Sequence, residues 1–284
     1  MKTSTEISSA AKVFGEERAI EEYAKAGFDA WDFSMFEMAR RDWSKGVFRY
    51  SDHPLCGKGA LDFARRLKKV GEDNGIHCNQ SHAPFPSFPE IYPLLQKAIE
   101  LTAEAGGNIC IIHPVNTDTP EKNAELYNML LPFAKQYGVR IATENMWNWD
   151  NVLDQAAPAA CSDGESFNAH LDAVNSEWLV ACLDIGHAEM RGLGTSAPEM
   201  IRALGPRLKA LHIHDNDRWK DSHQLPFSMQ IDFNGVVKAL KEIGYDGYFT
   251  LEADAYLATV DDKLAGIKAL ADSARRLADM FDAL

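Results

Sequence analysis

No long apolar run, no basic block and no closely spaced cysteine pair occurs in these 284 residues, and each absence removes a class of protein. Without an apolar stretch of bilayer-spanning length, a transmembrane helix is excluded. The first twenty residues lack the apolar centre of a secretory signal, so the expected setting is soluble and cytoplasmic. Five cysteines, an odd number spread from Cys56 to Cys182, fit neither a disulfide framework nor a zinc knuckle. Lys and Arg number 29 against 42 Asp and Glu, a formal net charge of −13. With no local concentration of cations, phosphate neutralisation is unavailable and nucleic acid is not an expected partner. No Pro-, Gly- or Ser-rich linker divides the chain, so a single domain over residues 1–284 is expected. What is abundant is apolar residues, 46% of the total, enough for a substantial core.

The chain alternates between two textures. Amphipathic segments end in glycine and lead into short β-branched or aromatic runs, as in AKAGFDAWDF, EDNGIHCNQSH, EAGGNICIIHP and KQYGVRIATEN. Glycine supplies the left-handed helix stop and the next residues enter a strand. Further strands are expected in WLVACLDIGH, LKALHIHDND and GYDGYFTLEAD, with a first one around Thr3 to Ile7. Between them Ile91, Leu94, Leu95, Ala98 and Thr102 share one helical face, as do Val236, Val237, Leu240 and Ile243. Eight β/α units in a chain of this length predict an α/β fold, a single (β/α)8 TIM barrel, ahead of an open doubly wound sheet. Residues 34–57 and 146–170 read as loop excursions above the barrel.

In such a barrel the carboxyl ends of the strands carry the functional groups. Here His82, His113, Glu144, Asp184, His187, His212 and Glu252 end successive strands, and Asp221 and His223 follow the seventh. Any one of these is unremarkable as a hydrogen-bonded strand end. Together they converge on one small volume, where several carboxylates stay ionised only beside a cation. Mixed imidazole and carboxylate ligation suits Mn, Zn, Co or Fe better than an all-oxygen ion such as Ca. His53, His77 and His170 read as structural; His214 shares the strand parity of His212 and stays open between pocket and loop. Asp215 and Asp217 read as turn residues, and Trp147, Trp149 and Trp219 as pocket walls or as core packing.

The strings IIHP, IATEN, CLDIGH, LHIHDND, DSH and TLE, in this order over nearly the whole chain, resemble the sugar phosphate isomerase/epimerase and endonuclease IV superfamily of xylose isomerase-like TIM barrels. In its ketose 3-epimerase branch the resemblance implies Glu144, Asp184, His212 and Glu252 as metal ligands. It also makes the two glutamates an acid/base pair and sets His187 and Arg218 against substrate oxygens. The metal implied is one of Mn, Zn, Co, Mg or Fe. The endonuclease IV branch implies a larger ligand set, adding His82, His113, His187, Asp221 and His223, and with it more than one ion. The chain departs from the epimerases after the fifth strand: Glu144-Asn145-Met146-Trp147-Asn148-Trp149-Asp150 lacks their Asn-Arg pair, and Asp150 stands where their second glutamate would be. Ser228, Met229 and Gln230 occupy a stretch that is glycine-rich in many relatives, so no phosphate-cradling loop is evident there.

The activity implied is a metal-dependent isomerase or epimerase working through an enediolate on a small sugar or sugar-like substrate. A dehydratase or lyase on a keto sugar or inosose shares that intermediate. An endonuclease IV-like phosphodiesterase and a non-catalytic sugar-binding barrel are the competing classes. Barrels of this family often associate, and a homo-oligomer is left open.

Overall fold

The computed structural model describes residues 1–284. Eight parallel strands form the barrel: β1 (Lys2–Thr5), β2 (Ala30–Ser34), β3 (His77–His82), β4 (Ile109–Ile111), β5 (Arg140–Glu144), β6 (Leu179–Asp184), β7 (Leu208–His212) and β8 (Tyr248–Leu251). Strands β2 to β7 pair in chain order, and β1 pairs with β8 from Lys2↔Tyr248 to Thr5↔Leu251. Parallel bridges at Glu6↔Asp32 and Ile213↔Leu251 close the two remaining seams. The first strand thus starts one residue earlier than Thr3 and is regular only to Thr5, with Glu6 joined to β2 by its bridge.

The principal outer helices are α1 (Glu16–Ala26), α2 (Ala60–Asp73), α3 (Tyr92–Glu104), α4 (Pro120–Tyr137), α5 (Gly164–Val174), α6 (Ala197–Leu204), α7 (Phe233–Glu242) and α8 (Lys263–Asp282). Their ends follow local chemistry. Thr119 accepts from the Lys122 amide, Pro120 opens the first turn of α4, and Gly138 at φ 68° closes it. Their apolar faces pack on the outside of the sheet in one large core that includes Trp31, Phe33, Tyr127, Phe167 and Phe249. The faces read from the sequence are the buried ones: Ile91, Leu95, Ala98 and Thr102 are fully covered, with Leu94 and Ile243 half-buried at the edges.

Inside the barrel the side chains divide. On the β4 to β7 side Ile109, Ile111, Ala142, Val180, Cys182 and Ala210 form a separate apolar cluster. On the other side a polar chain runs from Ser4 Oγ to Asn79 Oδ1 (2.6 Å), from Asn79 Nδ2 to Thr250 Oγ1 (3.2 Å), and from Gln80 Nε2 to Asp32 Oδ2 (2.8 Å). These buried groups largely satisfy one another, Asp32 Oδ1 excepted.

Two excursions rise above the strand ends. Arg40–Asp42 and Val47–Arg49 form one antiparallel hairpin, and Trp147–Asp150 and Gln155–Pro158 form the other. The second is shorter than the sequence suggested, because α5 already starts at Gly164, capped by Asp163 through the Ser166 amide. No helix is long and apolar enough to cross a membrane.

Candidate active site

The strand ends open on a cavity of about 610 Å³, and His82, His113, Glu144, His187, Asp221, His223 and Glu252 line it. Two further carboxylates, Glu6 and Asp254, and the aromatic rings of Phe36, Phe85 and Trp147 complete much of its wall. Asp184 and His212 lie just beneath, with essentially no exposure.

Adjacent strands fix the floor by register. Asp184 and His212 are partners across β6 and β7, and Glu144 stands opposite Cys182. As a result one ligand atom each from Glu144, Asp184, His212 and Glu252 lies within 4.8 Å of the others. His212 Nδ1 stands 3.1 Å from Glu144 Oε1 and 3.3 Å from Glu252 Oε2. Its Nε2 meets Asp32 Oδ2 at 3.3 Å. In the neutral ring a proton on Nε2 donated to Asp32 would leave the Nδ1 lone pair facing the two glutamates.

Two more donor groups adjoin this one. His82, His113 and Glu144 form the first, and His187, His214, Asp221 and His223 the second. Three of these imidazoles are anchored alike, each through Nδ1 to a backbone carbonyl: His82 to Ala83 (2.8 Å), His187 to Asn145 (2.9 Å) and His223 to Glu252 (2.7 Å). That leaves Nε2 of each turned to the cluster, where His82 and His113 place their Nε2 atoms 2.9 Å apart. His187 Nε2 is 3.1 Å from Asp221 Oδ2, and His223 Nε2 is 3.3 Å from Asp221 Oδ1. Asn145 ties β5 to β6: its side chain donates to the Asp184 carbonyl (2.9 Å) and accepts from the Asp184 amide (2.7 Å).

The electrostatics show what the arrangement lacks. Burial opposes ionisation of Glu144, yet His212 and His113 hold its carboxyl well below the usual carboxylate range. Burial pushes Glu252 up and the Glu144 charge adds to it, against His212, His223 and His82. For His187 burial favours the neutral ring, but Asp184 and Asp221 outweigh it and carry its pKa to about 10. Burial takes His113 down to about 4. Protons on imidazoles thus balance buried carboxylates, and they balance them incompletely. Glu144 Oε2, Asp184 Oδ2, Asp221 Oδ1, Asp32 Oδ1 and His214 Nε2 are buried without a well-aligned hydrogen bond, although His223 Nε2 approaches Asp221 Oδ1 and His214 Nε2 approaches Asp184 Oδ1. Orphaned carboxylate oxygens interleaved with free imidazole nitrogens are the donor set of a divalent cation of borderline character, and the residues fit one.

Most of the residues singled out from the sequence meet here; Arg218 does not. Its backbone adopts φ 65°, its amide donates to Asn216 Oδ1 (2.9 Å), and its guanidinium is drawn to the buried Glu189 carboxylate. It lines a separate shallow cleft with Arg191 and Trp219. Asp150 is likewise no stand-in for a second glutamate, because its Oδ1 accepts from the Val152 and Leu153 amides in the hairpin turn. Of the tryptophans only Trp147 reaches the cavity; Trp149 packs near Ala156, Met190 and Leu193, and Trp219 stacks under Arg191. His214 joins the cluster, its Nε2 3.1 Å from Asp184 Oδ1. His77 pairs with the Tyr248 hydroxyl and His170 with the Ser166 carbonyl, both away from the cavity. Asp215 and Asp217 accept backbone amides, in accord with turn roles.

Sequence reasoning missed Asp32, Glu6 and Asp254. Asp32 carried a readable signal: a lone acid between Trp31 and Phe33 has the opposite strand parity to two core aromatics and so points inward.

A parallel eight-stranded barrel with an acidic and imidazole-rich mouth is the architecture of a small-molecule site built on strand ends. The chain belongs to the xylose isomerase-like TIM barrel family, whose model matches residues 20–280. It is 28% identical over 167 residues to an uncharacterized protein of Methanocaldococcus jannaschii, covering 56% of this chain and 55% of that one. The chain spans about half the length of the curated relatives it matches. Among solved structures, a D-tagatose 3-epimerase-like protein superposes with a TM-score of 0.72 at 20% identity over 98% of this chain and 99% of its own. The IolI protein with a bound zinc atom gives 0.72 at 17% identity over 100% and 99%. At these identities the likeness is one of fold.

Proposed function

We propose that the cavity is the active site of a divalent-metal-dependent isomerase or epimerase acting on a sugar or related hydroxy-carbonyl compound. The observation that carries this reading is the convergence of the Glu144 and Glu252 carboxylates with Asp184 and His212 on one point beneath an open cavity. Glu144, Asp184, His212 and Glu252 would hold the ion. When bound, a divalent cation supplies the positive charge that favours ionised carboxylates here and the build-up of negative charge on adjacent substrate oxygens.

The protein's own groups then have distinct tasks. One of the two glutamates removes the proton from the carbon next to the carbonyl, leaving a planar enediolate. The other, across the substrate plane, returns a proton to the opposite face, which inverts that carbon. Return to the neighbouring carbon gives isomerisation instead, and expulsion of a β-hydroxyl gives dehydration. His187 is anchored through Nδ1 on the Asn145 carbonyl, and its Nε2, now beside Asp221, would donate to a substrate oxygen in place of that carboxylate. Phe36, Phe85 and Trp147 offer apolar wall to the carbon face of a sugar.

The test is solvent exchange. Metal-loaded protein in deuterium oxide, screened over keto sugars, inososes and hydroxypyruvate, is expected to place deuterium at the carbon α to the carbonyl of at least one of them. Glu144→Gln and Glu252→Gln should each slow this by about 10²–10⁴-fold, the usual worth of a positioned acid or base. Persistence of exchange in both variants would overturn the reading.

One observation favours a second reading. One flanking donor group shares Glu144 with the central four and the other adjoins Asp184 through His214, a set that resembles the larger one of endonuclease IV. A phosphoester hydrolase would use such a set, on a small ester rather than duplex DNA given the charge of −13. Three ions per chain, cleavage of a phosphodiester and no α-exchange would establish it in place of the isomerase.

A further inference from the structure

A second cavity of about 250 Å³ opens beside the first, between the short helix Ser8–Phe14 and the excursion that follows β2. Ser8 and Phe36 line both, so the two spaces meet at one polar group and one ring. None of the donor groups of the main site reaches the second cavity.

Its chemistry is polar without being charged. His53 Nε2 and Glu16 Oε1 meet at 2.6 Å, and Arg40 is paired with Glu37, so each of these ions is balanced within the wall. The remaining cation, Lys12, stands near Asp254, on whose carboxyl its charge acts. With Lys12 and Arg40 set against Glu16 and Glu37, these four side chains leave the wall without net charge, and an anion is not favoured here. Ser34, 8% exposed, is the exception to this self-sufficiency: its Oγ is buried and has no hydrogen-bond partner. A buried hydroxyl left unpaired behind a cavity wall is one that a ligand's hydroxyl can satisfy once the Ser34 side chain rotates toward the cavity. A ring edge at Phe36, paired ions offering dipoles, and one unfilled hydroxyl together suit a neutral polyhydroxylated ring.

We infer that this second cavity is a subsite for a glycosyl group attached to the reacting sugar, so that the substrate is a keto sugar carrying a second, uncharged ring. The inference rests on reading the main cavity as a sugar site. The reacting ring would occupy the space over Glu144 and Glu252, and the attached ring would pass Ser8 and Phe36 to reach Ser34.

The manganese-loaded protein can be titrated calorimetrically with fructose, with fructose 6-phosphate, and with the three glucosyl-fructoses linked through O3, O5 and O6. At least one glucosyl-fructose is expected to bind about tenfold tighter than fructose, a factor within reach of a few hydrogen bonds. Ala11→Trp, which fills the second cavity only, should erase that gain and leave fructose affinity unchanged. Ser34→Ala, a smaller change with little risk to folding, should lose part of the gain. Equal affinity for fructose and all three disaccharides overturns the inference. So does a gain given by the phosphate instead, or an Ala11→Trp effect as large on fructose as on the disaccharides. A glucosyl preference that Ala11→Trp removes, with no deuterium exchange into any bound ketose, upholds the subsite and defeats the isomerase reading instead.

Discussion

The side chains that matter most here are acids in places where an acid is costly. Glu6 follows the regular part of β1, is nearly fully buried, and accepts from the Ser9 amide at 3.1 Å. Burial, with the Asp254 charge adding to it, raises its pKa to about 7 against hydrogen bonds from Ser9 that pull the other way. Because the folded value lies above the unfolded one near 4.5, the folded state binds the extra proton between them. The contribution of Glu6 to stability is therefore fullest below about pH 4.5 and is lost as pH rises toward 7, by on the order of 3 kcal/mol. In urea unfolding of chelator-treated protein, Glu6→Gln is expected to flatten this slope and to exceed wild type in stability at pH 8; an unchanged slope would place the titration elsewhere. At this scale the sequence was legible where chemistry and position coincide. His82, His113, Glu144 and Glu252 announced themselves as polar groups at the ends of apolar runs. Glu6 was hidden by a strand with no apolar alternation, and Asp32, legible by its parity, was passed over because its aromatic neighbours read as plain core. Arg218 was misread because nothing local reveals Glu189, a buried carboxylate some thirty residues earlier that claims its guanidinium.

Between residue and barrel, the elements work by forcing close approach at strand ends. The turn after β6 is the clearest case. Asp184 caps the short helix Ile185–Ala188 by accepting from the His187 amide at 2.7 Å, which brings His187 over the site. Gly186 lies against the His214 ring, and a Cβ there would fall 1.9 Å from Cε1. Since the obstacle is a buried ring held between Asp184 and Asp221, Gly186→Ala must push the helix off β7. We expect it to cost about 3 kcal/mol or more by chemical denaturation, at the upper end of overpacking penalties. Gly59→Ala, with open space and an ordinary φ, should stay within about 0.5 kcal/mol. Similar losses for both would mean that the contact at Gly186 relaxes freely. The regular elements were readable because helix stops and strand starts are set locally, as Gly27 and Gly138 show with φ of 103° and 68°. The hairpins at 40–49 and 147–158 were not, since their strands are short, partly exposed and lack alternation.

The whole molecule gathers a good part of its acidity in one place. A chain carrying −13 buries Glu144, Asp184, Asp32 and Glu6 and turns Asp221 and Glu252 into the same mouth. The closed barrel makes this unavoidable, because eight strand ends share one rim. The period of the β/α alternation carried the barrel, whereas the division of its interior into an apolar half and a polar half follows from register across strands distant in sequence. On the proposed reading a cation would replace the protons that the imidazoles now hold, since ligation by neutral histidine displaces them. Metal should accordingly stabilise the fold, by about 2.7 kcal/mol when present at one hundred times its dissociation constant.

The direct measurement is the number of divalent ions held by the folded chain after equilibration with manganese or zinc and removal of the free ion, counted by atomic emission beside a melting curve. At least one ion per chain and a raised melting temperature are predicted for wild type. Glu144→Gln, which removes a carboxylate shared by three of the five donor groups, should weaken binding by at least the roughly 10–100-fold seen for loss of supporting ligands. A folded wild-type protein that retains no ion and melts at the same temperature with and without metal would contradict the account.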